Sequence, residues 1–175
     1  MSIMTNRDGS ISVFRVGILA AVIGVLAILG GYIYFQVEQS KRQEPLDVEL
    51  YQGAELWRTV NDLPTSREIY YASRDATPED VLAFYQALLD DYYDQNPTDP
   101  RRENQCNRYP ETGTFPDYVE GSGNLPYYYS CLFESAFFGT ENSTVIEIQP
   151  GIANDADGVD NIGITFIRYL QRWTG

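Results

Sequence analysis

The sequence contains no histidine, only two cysteines and two methionines, and just 12 basic residues against 25 acidic ones in 175 positions. Without imidazole there can be no Ser-His-Asp or Cys-His catalytic arrangement, no usual zinc site, and no His-ligated haem or chlorophyll. No cofactor is therefore expected. The scarcity of Lys and Arg, with a formal net charge of −13, argues against nucleic acid and anionic lipid as ligands, because both are bound by releasing counterions to a basic surface. After the first apolar segment, 24 acidic and 10 basic residues leave a net charge of −14. A basic protein or a cation is the complementary partner, although acidity also simply keeps a domain soluble.

Long apolar runs are scarce too, since there is one, near the start. Val16 to Phe35 forms twenty positions without a charge, which as a helix spans about 30 Å, the thickness of the hydrocarbon layer. Tyr32, Tyr34 and Phe35 sit where an interfacial aromatic belt belongs, and Arg15 marks the other interface. A cleaved signal peptide has a shorter apolar core and an Ala-x-Ala site that is missing here, so an uncleaved signal-anchor is expected. No cysteine lies nearby for lipoprotein processing. Arg7 and Arg15 on one side are balanced by Lys41 and Arg42 on the other, so charge barely sets the orientation. Cysteine usage favours the N-terminus inside and the domain outside.

The expected organisation is an N-terminal cytoplasmic arm over 1–15, a transmembrane helix over 16–37, a linker over 38–47 and an extracytoplasmic acidic domain over 48–175. Within the helix, Gly17, Ala20, Gly24, Ala27 and Gly31 are spaced 3, 4, 3 and 4 apart and share one face. Lipid provides no hydrophobic drive for helix pairing, so close backbone approach along such small residues supplies the packing energy. The period of 3.5 favours a left-handed crossing with a second copy or another membrane subunit.

The chain is 43% hydrophobic and has fourteen Tyr, twelve of them after the apolar segment, so the remainder can bury one core. Glu55–Val60 and Arg67–Ser73 read as paired strands around the turn chemistry of Asn61–Pro64. Thr77-Pro-Glu-Asp80 then offers an N-cap hydroxyl, a first-turn Pro and acids at a helix start. Val81, Phe84, Tyr85, Leu88, Leu89 and Tyr92 follow at helical spacing, which predicts a helix over 78–94. Asn96–Pro100 breaks it. Strand-like runs recur at Asn104–Tyr109, Tyr127–Glu134, Thr144–Gln149 and Ile162–Trp173. The expected fold class is α+β: a single transmembrane helix, then an antiparallel sheet with one main packed helix in the order β-β-α-β-β-β-β.

Gly53-Ala-Glu-Leu56, Ile69-Tyr-Tyr-Ala-Ser73 and Thr77-Pro-Glu-Asp-Val-Leu-Ala-Phe-Tyr85 resemble a small uncharacterised α+β module of bacterial membrane-anchored proteins and lipoproteins, in which a GAE turn precedes a strand and a PEDVLAFY helix. The resemblance covers residues 50–90, implies a fold and a location at the bacterial cell membrane, and carries no activity.

Cys106 and Cys131, an even count in a domain expected outside, predict a disulfide, worth roughly 3 kcal/mol on a chain-entropy model. Asn154–Asn161 contains Asp155, Asp157 and Asp160, weak candidates for a calcium loop. Its register departs from an EF-hand, with Ala153 at the first ligand position and no closing Glu, so a polar hairpin between the last strands is the preferred reading. Asn142-Ser-Thr144 matches a glycosylation sequon and is given no role. Phe115, Tyr118, Tyr127, Tyr128, Tyr129, Phe133, Phe137 and Phe138 form an aromatic-rich stretch that suits either a sugar- or peptide-binding platform or a core lined by alternate members. Carboxylates are numerous, but no spacing singles out a catalytic pair.

Two functions follow. The first is a non-catalytic accessory subunit of a membrane complex, docked through the Gly/Ala seam. The second is an extracytoplasmic binding module for a glycan, a cation or a basic protein such as an electron carrier.

Overall fold

A computed structural model of the protein describes residues 13–95 and 105–174. Most of the expected arm (1–12), the break at 96–100 and Asn104 lie outside the described residues. Two units can be distinguished, residues 1–41 and 42–175.

The first unit is α1 (Val13–Ser40), 28 residues with no buried side chain, long and apolar enough to cross a membrane. It extends past the expected 16–37 because nothing in Gln36-Val-Glu-Gln39 breaks a helix. Its end is marked by Ser40, whose hydroxyl donates to the Val37 carbonyl at 3.0 Å, and by a Lys41–Glu38 ion pair at 2.6 Å.

The second unit is α+β, as its patterning predicts. β1 (Glu55–Leu63) and β2 (Ser66–Ser73) precede α2 (Pro78–Gln95), and β3 (Asn107–Tyr109), β4 (Tyr128–Phe137), β5 (Thr140–Pro150) and β8 (Thr165–Trp173) follow. These six strands form one antiparallel sheet in the order β1-β2-β8-β5-β4-β3. The polar hairpin expected near 154–161 is there as β6 (Ala153–Asn154) paired with β7 (Val159–Asp160).

α2 starts where its cap predicts. The Thr77 hydroxyl accepts from the Asp80 N–H at 3.2 Å, and the Asp80 carboxylate accepts from the Thr77 N–H and hydroxyl at 3.0 and 2.7 Å. Those bonds to the charged form hold the Asp80 carboxyl below its ordinary pKa. Val81, Tyr85, Leu89 and Tyr93 are the buried stripe, so Tyr93 rather than Tyr92 completes it at a strict four-residue interval. They pack on Tyr129, Cys131, Phe133, Ile146, Ile148, Ile167 and Tyr169, alternate residues of β4, β5 and β8.

The expected linker needs correcting. From Arg42 onward the chain belongs to the domain, because Leu46, Val48 and Leu50 pack on the core and backbone carbonyls of this segment are hydrogen-bonded by the sheet. Gln171 and Thr144 donate to the Leu46 carbonyl at 3.1 and 2.6 Å, and the Tyr169 hydroxyl donates to that of Glu49 at 3.1 Å. Buried Tyr85 and Tyr169 share a hydrogen bond of 2.8 Å, and the Tyr51 N–H donates to the Tyr85 hydroxyl at 3.1 Å. Burial makes the phenolates unfavourable and pushes Tyr85 up to about 12, with Tyr169 raised further.

Candidate functional site

The sheet has a second face. Its residues alternate with the core set along the same strands and are half-buried: Tyr128 on β4, Glu147 and Gln149 on β5, Phe166 and Arg168 on β8, Tyr70 on β2. At its centre the Arg168 guanidinium joins Glu68 at 2.8 Å and Glu147 at 2.8 Å. Burial alone would lower the Arg168 pKa, but the two carboxylates outweigh it and raise it.

Towards the end of this face lies a cleft of about 370 Å³ lined by Trp57, Arg58, Tyr70, Leu125, Gln149 and Phe166. Two departures from regular pairing build it. The first is a register shift between Leu56 and Arg58, a bulge at Trp57. A regular strand sends consecutive side chains to opposite faces, but the bulge brings both Trp57 and Arg58 to this one. Trp57 meets Phe166 edge-on with ring centroids 5.4 Å apart, and the Arg58 guanidinium lies 4.8 Å from the Tyr70 ring centroid. The second is the segment around Gly123 and Leu125, pinned by the Gly123 N–H donating to the Ala153 carbonyl at 3.0 Å. Gly123 has a φ of +81°, and a Cβ there would come within 2.8 Å of the Asn154 amide nitrogen, so this wall requires glycine.

The cleft therefore combines three aromatic rings with Arg58, Gln149 and Asn161 as hydrogen-bonding groups. Among the described residues Arg58 has no carboxylate within ion-pairing distance, which is notable in so acidic a domain. Glu68 and Glu147, carboxylates of the same face, are both bound to Arg168.

The residues singled out by the sequence are mostly elsewhere. Gly17, Gly24 and Gly31 of the α1 seam face open space, since a Cβ added at any of them would meet nothing within 4 Å, and Ala20 and Ala27 are exposed beside them. Cys106 and Cys131 form the expected disulfide, joining the residue that leads into β3 to buried Cys131 on β4. The three calcium candidates are not gathered. Asp157 accepts from the Asn154 amide at 2.7 Å, Asp160 accepts from the Ile162 N–H at 3.0 Å, and the Asp155 carboxylate lies against Gly121. No group of three His, Cys, Asp or Glu side chains suited to a metal exists among the described residues.

The aromatic stretch disperses rather than forming one platform. Tyr129 and Phe133 enter the core, Tyr128 stacks with Tyr109 and Phe115 on the open face, and Tyr127 donates to Glu79 at 3.1 Å. Asn142 of the sequon is buried in β5. Sequence reading missed Trp57, Tyr70 and Phe166 as a set because they are far apart in the chain. The one local signal was the adjacent Trp57 and Arg58 in an otherwise ordinary strand pattern.

No family model matches this chain, and neither a curated protein nor a solved structure matches it.

Proposed function

We propose that the protein is a non-catalytic, membrane-anchored module that binds carbohydrate in the Trp57–Phe166 cleft. The observation that carries this reading is the cleft's chemistry. Sugar rings present C–H faces that stack on aromatic rings, and their hydroxyls need planar donors and acceptors at the rim, the roles that Trp57, Tyr70 and Phe166 and then Arg58, Gln149 and Asn161 fit. Hydrolysis would require two carboxylates flanking a bound sugar, one available as an acid, whereas Glu68 and Glu147 are both engaged by Arg168. The test is titration of full-length protein in nanodiscs with neutral and acidic oligosaccharides while Trp fluorescence is followed. Saturable change that Trp57→Ala removes supports the reading, and its absence with every sugar class ends it.

On this proposal α1 spans the cell membrane of a bacterium with the N-terminus inside. The disulfide supports an oxidising side for the domain, and the resemblance over residues 50–90 supports the same location.

A second reading, an accessory subunit of a membrane complex, is favoured by the uncovered Gly17, Gly24 and Gly31 face of α1. Gly24→Leu should then release co-purifying membrane proteins. An unchanged set of co-purifying proteins would sink that reading while leaving the cleft untouched.

A further inference from the structure

The line of residues along the floor of the cleft runs on past it. Gln149 pairs with Phe166, Phe166 with Ala72, and Ala72 with Glu55, so these four side chains of β5, β8, β2 and β1 leave the same open face in one line across the sheet. Gln149 and Phe166 line the cleft. Ala72 and Glu55 line a second, smaller hollow of about 150 Å³, and Trp57 is a wall of both. The hollow lies where the line meets Ala72, whose methyl group leaves open the space that a larger side chain would fill.

Local sequence builds the rest of its rim. Gly53, at a φ of +83°, takes the third position of a β-turn in which the Ala54 N–H donates to the Tyr51 carbonyl at 3.1 Å. The chain leaves that turn into β1 with Glu55 at the hollow, so the Gly53-Ala-Glu55 motif has a structural product, a carboxylate placed beside Trp57. Just beyond β2, Arg74 and Asp75 add a guanidinium and a second carboxylate.

Among the described residues, the side chains of Glu55, Arg74 and Asp75 make no hydrogen bond or ion pair within the protein. Their mixed signs decide which ligand they suit. Carboxylates alone would suit a cation and a guanidinium alone an anion, whereas a sugar hydroxyl can donate to the first and accept from the second. Size decides how the two hollows are related. Ligand pockets span about 300–1,000 Å³, so the cleft at about 370 Å³ is a site by itself and the hollow at about 150 Å³ is an extension of it.

We infer that the ligand of the cleft is a linear oligosaccharide that continues across Trp57. Its stacked units lie against Trp57, Tyr70 and Phe166, and the next unit lies over Ala72 with its hydroxyls bonded to Glu55, Arg74 and Asp75. The inference rests on the carbohydrate reading of the cleft and adds to it the length of the chain. Trp57 is 46% exposed, which leaves ring surface for such a chain to cover.

The test titrates full-length protein in nanodiscs, by calorimetry, with neutral and acidic oligosaccharides, each class as a series of two to six units. Arg74→Ala and Asp75→Asn, both at exposed positions, remove groups of the extension, and Trp57→Ala disables the cleft. In the class that binds, affinity should rise about tenfold from the two-unit member to those of four or more units, the worth of one hydrogen bond to a charged group. Arg74→Ala should return the long members to the two-unit value and leave two-unit binding unchanged. Affinity independent of length, a length dependence that neither Arg74→Ala nor Asp75→Asn reduces, or an equal loss for short and long members overturns the inference, and the cleft stands if Trp57→Ala abolishes binding. No binding by any class overturns both.

Discussion

The two faces of the sheet come from the same strands, residue by residue, and yet they do different jobs. On β4, β5 and β8, Phe133, Ile146 and Ile167 point under α2 and are dry, while Leu132, Glu147 and Arg168, each one position away, point to the open face and keep contact with water. On the covered face the polar atoms of Tyr85, Tyr169, Thr144 and Gln171 bond to one another or to the backbone of residues 46–51, as buried polar groups must. On the open face, polar and aromatic groups are arranged around a cleft and Arg58 has no ion-pair partner among the described residues. Stability is thereby concentrated on one side of the sheet and the cleft proposed to bind sugar lies on the other, so substitutions should divide accordingly.

The largest contrast should come from neighbouring residues on β4. Phe133→Ala should destabilise the domain by about 3–5 kcal/mol through the cavity it leaves, whereas Leu132→Ala on the open face should cost much less. Denaturant titration of both variants gives the difference, and equal losses would abolish the distinction between the faces. Next in size is reduction of Cys106–Cys131, which should lower stability by roughly 3 kcal/mol, read from the denaturant midpoint with and without reductant.

The third effect is alkaline. Burial raises the Tyr85 pKa to about 12 from an ordinary value near 10, so the unfolded chain loses this proton first. The corresponding stability is complete below pH 10 and falls as the pH climbs towards 12, by about 2–3 kcal/mol from this residue. Tyr85→Phe should flatten that slope in thermal melts across the range. The smallest effect on stability belongs to the open face: Arg58→Ala should change stability by less than about 0.5 kcal/mol while weakening sugar binding. A large loss of stability there would mean that Arg58 holds the edge strand together and is no recognition residue.

How much of this was legible in the sequence varied with the range of the cause. α2 was legible to its first residue because Thr77, Pro78 and Asp80 act within one turn. The disulfide followed from there being two cysteines, and the apolar helix from an uncharged run. Strand ends were less clear: β5 begins at Thr140 rather than Thr144, because pairing with β4 and β8 carries polar Glu141, Asn142 and Ser143 into the sheet. The supposed linker belonged to the domain because the donors to its Glu44 and Leu46 carbonyls are Asn142, Thr144 and Gln171, 98 to 125 positions away.

By itself the sequence determined what depends on neighbours in the chain: an apolar α1, a capped α2, alternating strands, an acidic surface and a chemistry without imidazole. The tertiary structure alone decided which strands lie side by side, and with that the cleft, since Trp57, Tyr70 and Phe166 meet only after β1, β2 and β8 pair and a bulge turns Trp57 towards Phe166. Local energies of a fraction of a kcal/mol per residue can select a helix or a strand, but which distant residues become neighbours is set by the burial of the whole core.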